Sequence, residues 1–98
     1  MKSTANKGST AKKYKVEIKS SAQKKLNEFD NKIFGRIDKV ILSLRENPRP
    51  YGYKKLTAFN GYSIRVGQYR ILYTIDDNLR IVTIFDVGHR KDIYRGLV

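Results

Sequence analysis

The hydrophobic period of this chain changes twice, and that switch limits the folds open to it more than any other feature. Tyr14, Val16 and Ile18 alternate with Lys15, Glu17 and Lys19, the pattern of a half-buried strand. From Ser20 the spacing becomes three-and-four, through Ala22, Leu26, Phe29, Ile33, Ile37, Val40, Ile41 and Leu44. Period two then returns beyond Gly61. A helical block followed by a run of strands points to an α+β domain.

Local signals place the boundaries. Ser20 with Gln23 three residues on has the form of a capping box and predicts a helix start. Asp30-Asn31 interrupts the polar face, so two helices are expected in a hairpin, over about 20–29 and 31–46. Asn47-Pro48 closes the second, because the residue before proline is pushed out of the helical region. Arg49 to Asn60 reads as a loop carrying Lys54 and Lys55, with Leu56 and Phe59 as tethers to the core. Strands follow at Tyr62–Val66, Tyr69–Asp76 and Leu79–Val87, joined by turns at Gly67-Gln68 and Asp77-Asn78. Gly88 is expected to end the last strand, and His89 to Leu97 to form a short C-terminal segment.

The expected fold is α+β: an N-terminal strand and a two-helix hairpin packed on one face of a mainly antiparallel four-stranded sheet. The other face is left open for a ligand. Residues 1–13, low in apolar content, are expected to be a disordered basic tail before a single domain spanning 14–98.

Charge then narrows the partner. Lys and Arg number 21 against 9 Asp and Glu, a formal net charge of +12. Solubility alone rarely needs so one-sided a balance, whereas a phosphate backbone or an acidic protein would answer it. Asn47 to Ile75 holds no acidic residue, yet contains Arg49, Lys54, Lys55, Arg65 and Arg70. The absence of cysteine excludes disulfides and thiolate metal sites and fits a reducing cytoplasm. No apolar run suits a membrane span, and the helical segments lack the split of an interfacial helix.

Alternation puts Tyr62, Ile64 and Val66 on the helix-covered face and Ser63 and Arg65 on the open one. By the same logic Arg70 joins Arg65. With Arg90 after the last strand, the three arginines are expected to converge on a patch a few phosphates wide. Lys54, Lys55, Ser63 and Lys91 are the further candidates for RNA contact. Arg90 and Lys91 have an ordinary alternative, surface pairing with Asp86 or Asp92.

Two stretches carry a family resemblance. Gly-Tyr-Ser-Ile-Arg-Val-Gly-Gln-Tyr-Arg-Ile-Leu-Tyr at 61–73 and Val-Gly-His-Arg-Lys-Asp-Ile-Tyr at 87–94 resemble the RelE/ParE superfamily of bacterial toxins, more specifically its RelE branch. The resemblance implies a type II toxin that cleaves mRNA at the ribosomal A site by 2′-hydroxyl attack, halting translation. ParE-like relatives on the same fold poison DNA gyrase instead, by binding without nuclease chemistry. It further implies an acidic antitoxin as protein partner, contact with mRNA and ribosomal RNA, and operator DNA only through the antitoxin complex. By position, Arg65, Arg70 and Arg90 match basic catalytic positions, and Tyr94 matches a tyrosine that stacks on a base or assists proton transfer. The chain departs from the best-studied relative in having Ser63 and Arg65 where that protein has two lysines, and His89 where it has a third.

Cleavage by the 2′-hydroxyl needs a base, charge stabilisation at the phosphorane and an acid for the 5′-oxygen. Arginine is never neutral in practice, so the three arginines suit a clamp. Proton transfer is left to His89, Tyr94, Lys54 or Lys55, with His89 first because its ordinary pKa lies near neutrality. No metal or other cofactor is required, and one histidine with scattered aspartates makes a poor metal site.

Overall fold

A computed structural model of the chain describes residues 13–57 and 60–93. Its elements are β1 (Lys15–Ile18), α1 (Ser20–Glu28), α2 (Asn31–Ser43), β2 (Lys54–Lys55), β3 (Tyr62–Val66), β4 (Tyr69–Asp76) and β5 (Ile81–His89). They form a two-helix layer on a five-stranded sheet ordered β1-β5-β4-β3-β2. The α+β expectation holds, with one more strand than foreseen. Lys54-Lys55 lies in the stretch read as loop, but pairs antiparallel with β3 as a two-residue edge. Two lysines show no apolar alternation, so only the tertiary partner reveals them as strand.

β1 lies parallel to β5, Lys15 opposite Ile81 and Ile18 opposite Ile84, while the remaining pairings are antiparallel. Ala22 and Leu26 of α1 and Ile37 and Ile41 of α2, with Leu44 at its C-cap, bury against Ile64, Val66, Ile71, Tyr73, Val82, Ile84 and Val87. Each buried leucine, isoleucine or valine among them contributes about 1.5–3 kcal/mol by leaving water.

The hairpin forms because Phe29 and Asp30 turn extended between the helices, and the Asp30 carboxylate accepts a hydrogen bond from Ile33 N at 2.9 Å. At the start of α1 the foreseen capping box is absent. Lys19 is the N-cap and makes no side-chain cap, Ser20 is already helical, and the Gln23 side chain donates to Asn27 instead.

Three other expectations change. The last connection is a four-residue turn, Asp77 to Arg80, with Arg80 in the left-handed region at φ 56°. Gly88 does not end β5 but sits inside it, opposite Arg70. Finally, the face away from the helices is not fully open. Ser63 and Leu72 on that face are both 0% exposed. A Cβ on Gly88 would lie 3.2 Å from Ile93 Cδ1, so the turn after β5 folds back over this face. Phe59 and the tail before Lys13 lie outside the described residues, as does the C-terminal segment after Ile93.

Candidate nucleic-acid interface

Strand register decides which cations meet. Arg65 and Arg70 are direct partners across β3 and β4, on the face opposite the helices. The Arg65 side chain is exposed, and its Nε donates to the Gly67 carbonyl at 2.8 Å. Arg70 is half-buried, with Nη1 placed 3.4 Å from the Ser63 hydroxyl. Arg90 joins this end of the sheet through its backbone, donating to the Gln68 carbonyl at 2.8 Å while its side chain stays exposed. The two-residue turn Gly67-Gln68 therefore anchors Arg65 and Arg90, while Arg70 is brought alongside by its register with Arg65.

The lysines divide by face. Lys54 pairs with Ser63 and so shares the arginine face. Lys55 pairs with Tyr62 and shares the opposite one. Lys91 lies in the exposed turn after β5, its backbone N donating to His89 Nδ1 at 3.2 Å. Tyr94 lies outside the described residues.

His89 does not stand among the arginines. Its register partner is Tyr69, and the two rings meet edge-on at 5.6 Å, with Phe29 of the helical junction against Tyr69 at 5.2 Å. This aromatic row is on the helix side of the sheet end. Sequence gave His89 no packing neighbour, because a cross-strand partner twenty positions earlier is invisible without the register. With Nδ1 accepting from Lys91, the neutral ring carries its hydrogen on Nε2 and can donate there.

Among the described residues, neither foreseen carboxylate, Asp86 or Asp92, pairs with Arg90 or Lys91. Asp86, a foreseen partner of Arg90 or Lys91, holds Lys25 of α1 at 2.6 Å. Among the described residues, Arg65, Arg90, Lys54 and Lys91 form no ion pair. Arg49 behaves differently. It grips Asp77 with both nitrogens, at 3.2 and 2.9 Å, and lies over the Tyr62 ring. Its hydrogen bond, followed by that from the Tyr14 hydroxyl, holds the Asp77 carboxyl down to about 2. Arg49 is thus removed from the basic patch that its place in the acid-free stretch suggested.

One cation was not singled out by sequence. Arg36 of α2 reaches the turn from the helix layer, and a Cβ on Gly67 would lie 2.9 Å from its Nη2. Helical spacing marks Arg36 only as solvent-facing, and nothing in the pattern says which turn it faces. No group of three potential metal ligands occurs among the described residues. The arrangement can bind anions and neutralise developing negative charge, with Lys54 as an amine on the same face.

A family model described as the ParE toxin of the type II toxin–antitoxin system parDE matches residues 16–94. The toxin RelG of Mycobacterium tuberculosis is 33% identical over 84 residues, covering 84% of this chain and 97% of that protein. Among solved structures, a chain of the RelBE2 toxin–antitoxin complex of Mycobacterium tuberculosis matches with a TM-score of 0.71 and 30% identity. That match covers 80% of this chain and 99% of the other. The archaeal RelE–RelB complex of Pyrococcus horikoshii gives a TM-score of 0.73 at 22% identity, covering 82% and 98%, a likeness of fold.

Proposed function

The chain belongs to the ParE-toxin family of type II toxin–antitoxin systems, within the RelE/ParE superfamily, and from that premise we propose that it is a RelE-like endoribonuclease cutting mRNA in the ribosomal A site. The observation that carries this reading is the Arg65–Arg70 pair, two permanent cations set opposite each other beside Ser63. Like charges directly opposite work against a sheet, so this pairing favours a site built for an anion between them.

In the proposed reaction Arg65, Arg70 and Arg90 hold the scissile phosphate and take up charge as the 2′-oxygen attacks, its proton passing to water, and the bond from phosphorus to the 5′-oxygen breaks. Lys54, on their face, supplies a proton that a guanidinium yields far less readily and protonates the departing 5′-oxygen. His89, whose Nε2 bears hydrogen, donates to the RNA at the sheet end. Tyr94 keeps the role the resemblance gives it, stacking on a base or assisting proton transfer. Lys55, on the other face, and Lys91 contribute backbone contacts, and ribosomal RNA is the larger polyanion met by this surface. An acidic antitoxin is the protein partner, in keeping with the RelB-bound state of the similar toxins, and operator DNA is reached only through that complex.

The test is addition of the pure protein to a translating extract with mapping of mRNA 5′ ends. Codon-phased cuts are expected; uninterrupted translation with intact mRNA would sink the reading. One observation favours a second reading, the match to a ParE family model. It predicts inhibition of gyrase supercoiling with mRNA left intact.

A further inference from the structure

The Gly67-Gln68 turn gathers cations from three parts of the chain. Arg65 Nε binds the Gly67 carbonyl, Arg90 N binds the Gln68 carbonyl, and the Arg36 guanidinium occupies the space a Gly67 side chain would fill. Gly67 is at φ +59°, a conformation few residues with a side chain adopt, and glycine here also leaves the guanidinium its place. Arg36 is exposed and has no carboxylate partner among the described residues. Arg36 thus brings a guanidinium from the helix layer to the same turn whose Gly67 carbonyl Arg65 binds from the sheet face.

We infer that Arg36 of α2 is a further phosphate-contacting residue of the site, reaching from the helix layer past Gly67 toward the same single-stranded RNA that Arg65 engages. The inference rests on the RNA-directed reading above, but it concerns binding and not cleavage. Arg36 extends the cationic surface around the turn from the sheet face onto the helix side. The RNA backbone therefore crosses the Gly67-Gln68 turn instead of stopping at the sheet edge. The neighbouring phosphate, not the scissile one, is the group Arg36 holds.

The experiment titrates a short, fully 2′-O-methylated single-stranded RNA, which cannot be cut, by fluorescence anisotropy across a salt series. Arg36→Ala is expected to weaken binding about tenfold, the scale of one charge-assisted hydrogen bond. It should also lower the slope of log affinity against log salt by about 0.7, one phosphate contact fewer on a single strand. Lys24→Ala, an equal charge loss at an exposed site on α1, should do neither. Arg36→Lys should recover the slope but not the full affinity, because the fork is lost. Combining Arg36→Ala with Arg65→Ala should cost less than the sum, since the two engage one strand. Arg36→Ala matching Lys24→Ala in affinity and slope overturns the inference, as does failure of the wild type to bind the RNA. Loss of binding in Arg36→Ala alongside a wild type that leaves mRNA intact in the extract keeps the inference and removes the cleavage reading.

Discussion

Arg65 and Arg70 are direct cross-strand partners, two fixed positive charges held together at the end of β3 and β4. Such a pair costs a sheet a few tenths of a kcal/mol in the absence of an anion. Arg65→Gln should therefore leave the melting temperature unchanged or slightly raised while growth arrest on induction is lost. Thermal unfolding and a plate toxicity assay read the two effects separately. A variant that is both unstable and non-toxic would make Arg65 a structural residue.

Lys54 and Lys55 are adjacent in sequence but face opposite sides of the sheet. Lys54→Ala should lower cleavage at least tenfold, and Lys55→Ala much less, because only the first ammonium shares the Ser63 face. Lys54→Arg keeps the charge but loses the transferable proton, so it should stay near the Ala level. Full activity in Lys54→Arg would reduce Lys54 to an electrostatic contact. Mapping of mRNA ends in a translating extract gives the rates.

Tyr73 is fully buried, and its hydroxyl donates to the Pro48 carbonyl at 2.8 Å. Tyr73→Phe leaves that acceptor without its donor and should cost about 1–3 kcal/mol by chemical denaturation. Burial also raises the Tyr73 pKa above its ordinary value. The folded state therefore favours the neutral phenol. Its contribution is complete below pH 10 and declines as the pH rises toward the folded value. Ultraviolet titration should show this tyrosine resisting ionisation while exposed ones titrate. A buried phenol that titrates with the rest would contradict the packing.

Asp77 supplies the acid-side test. Arg49 and then Tyr14 hold its carboxyl at about 2, below the ordinary 3.8. A depressed carboxylate stabilises the fold above its unfolded pKa, and that contribution is lost as the pH falls through the folded one. The window is pH 4 to 2. Asp77→Asn should be less stable than wild type at neutral pH, and the difference should shrink across that window. Equal pH profiles for the two proteins would show the bridge to be energetically silent. The group is exposed, so added salt should narrow the gap as well.

The period switch at Ser20 and the Asp30 break were legible because both are local: a repeat in side-chain direction and a cap three residues from its target. The Arg65–Arg70 pairing was legible too, since a two-residue turn sets its own register. What stayed hidden depends on distant partners. β2 is strand only because β3 lies beside it. His89 acquires an aromatic neighbour only through register with Tyr69, and Arg49 is neutralised by an aspartate twenty-eight positions away. Ile93, beyond the last recognisable strand, packs back against Gly88 on the face that also holds the buried Leu72. Arg36 is the sharpest case, because a helix pattern states which way a residue faces but not what stands there.

The parallel seating of β1 against β5 fixes when the molecule can become whole. Lys15 finds its partner only once Ile81 has been made, and Arg90 closes on Gln68 later still. Contacts so distant along the chain form late. A nascent chain stalled before residue 81 should remain protease-sensitive, and resistance at that length would contradict this order. The cationic turn at Gly67-Gln68 is thus completed only after Arg90 has been made.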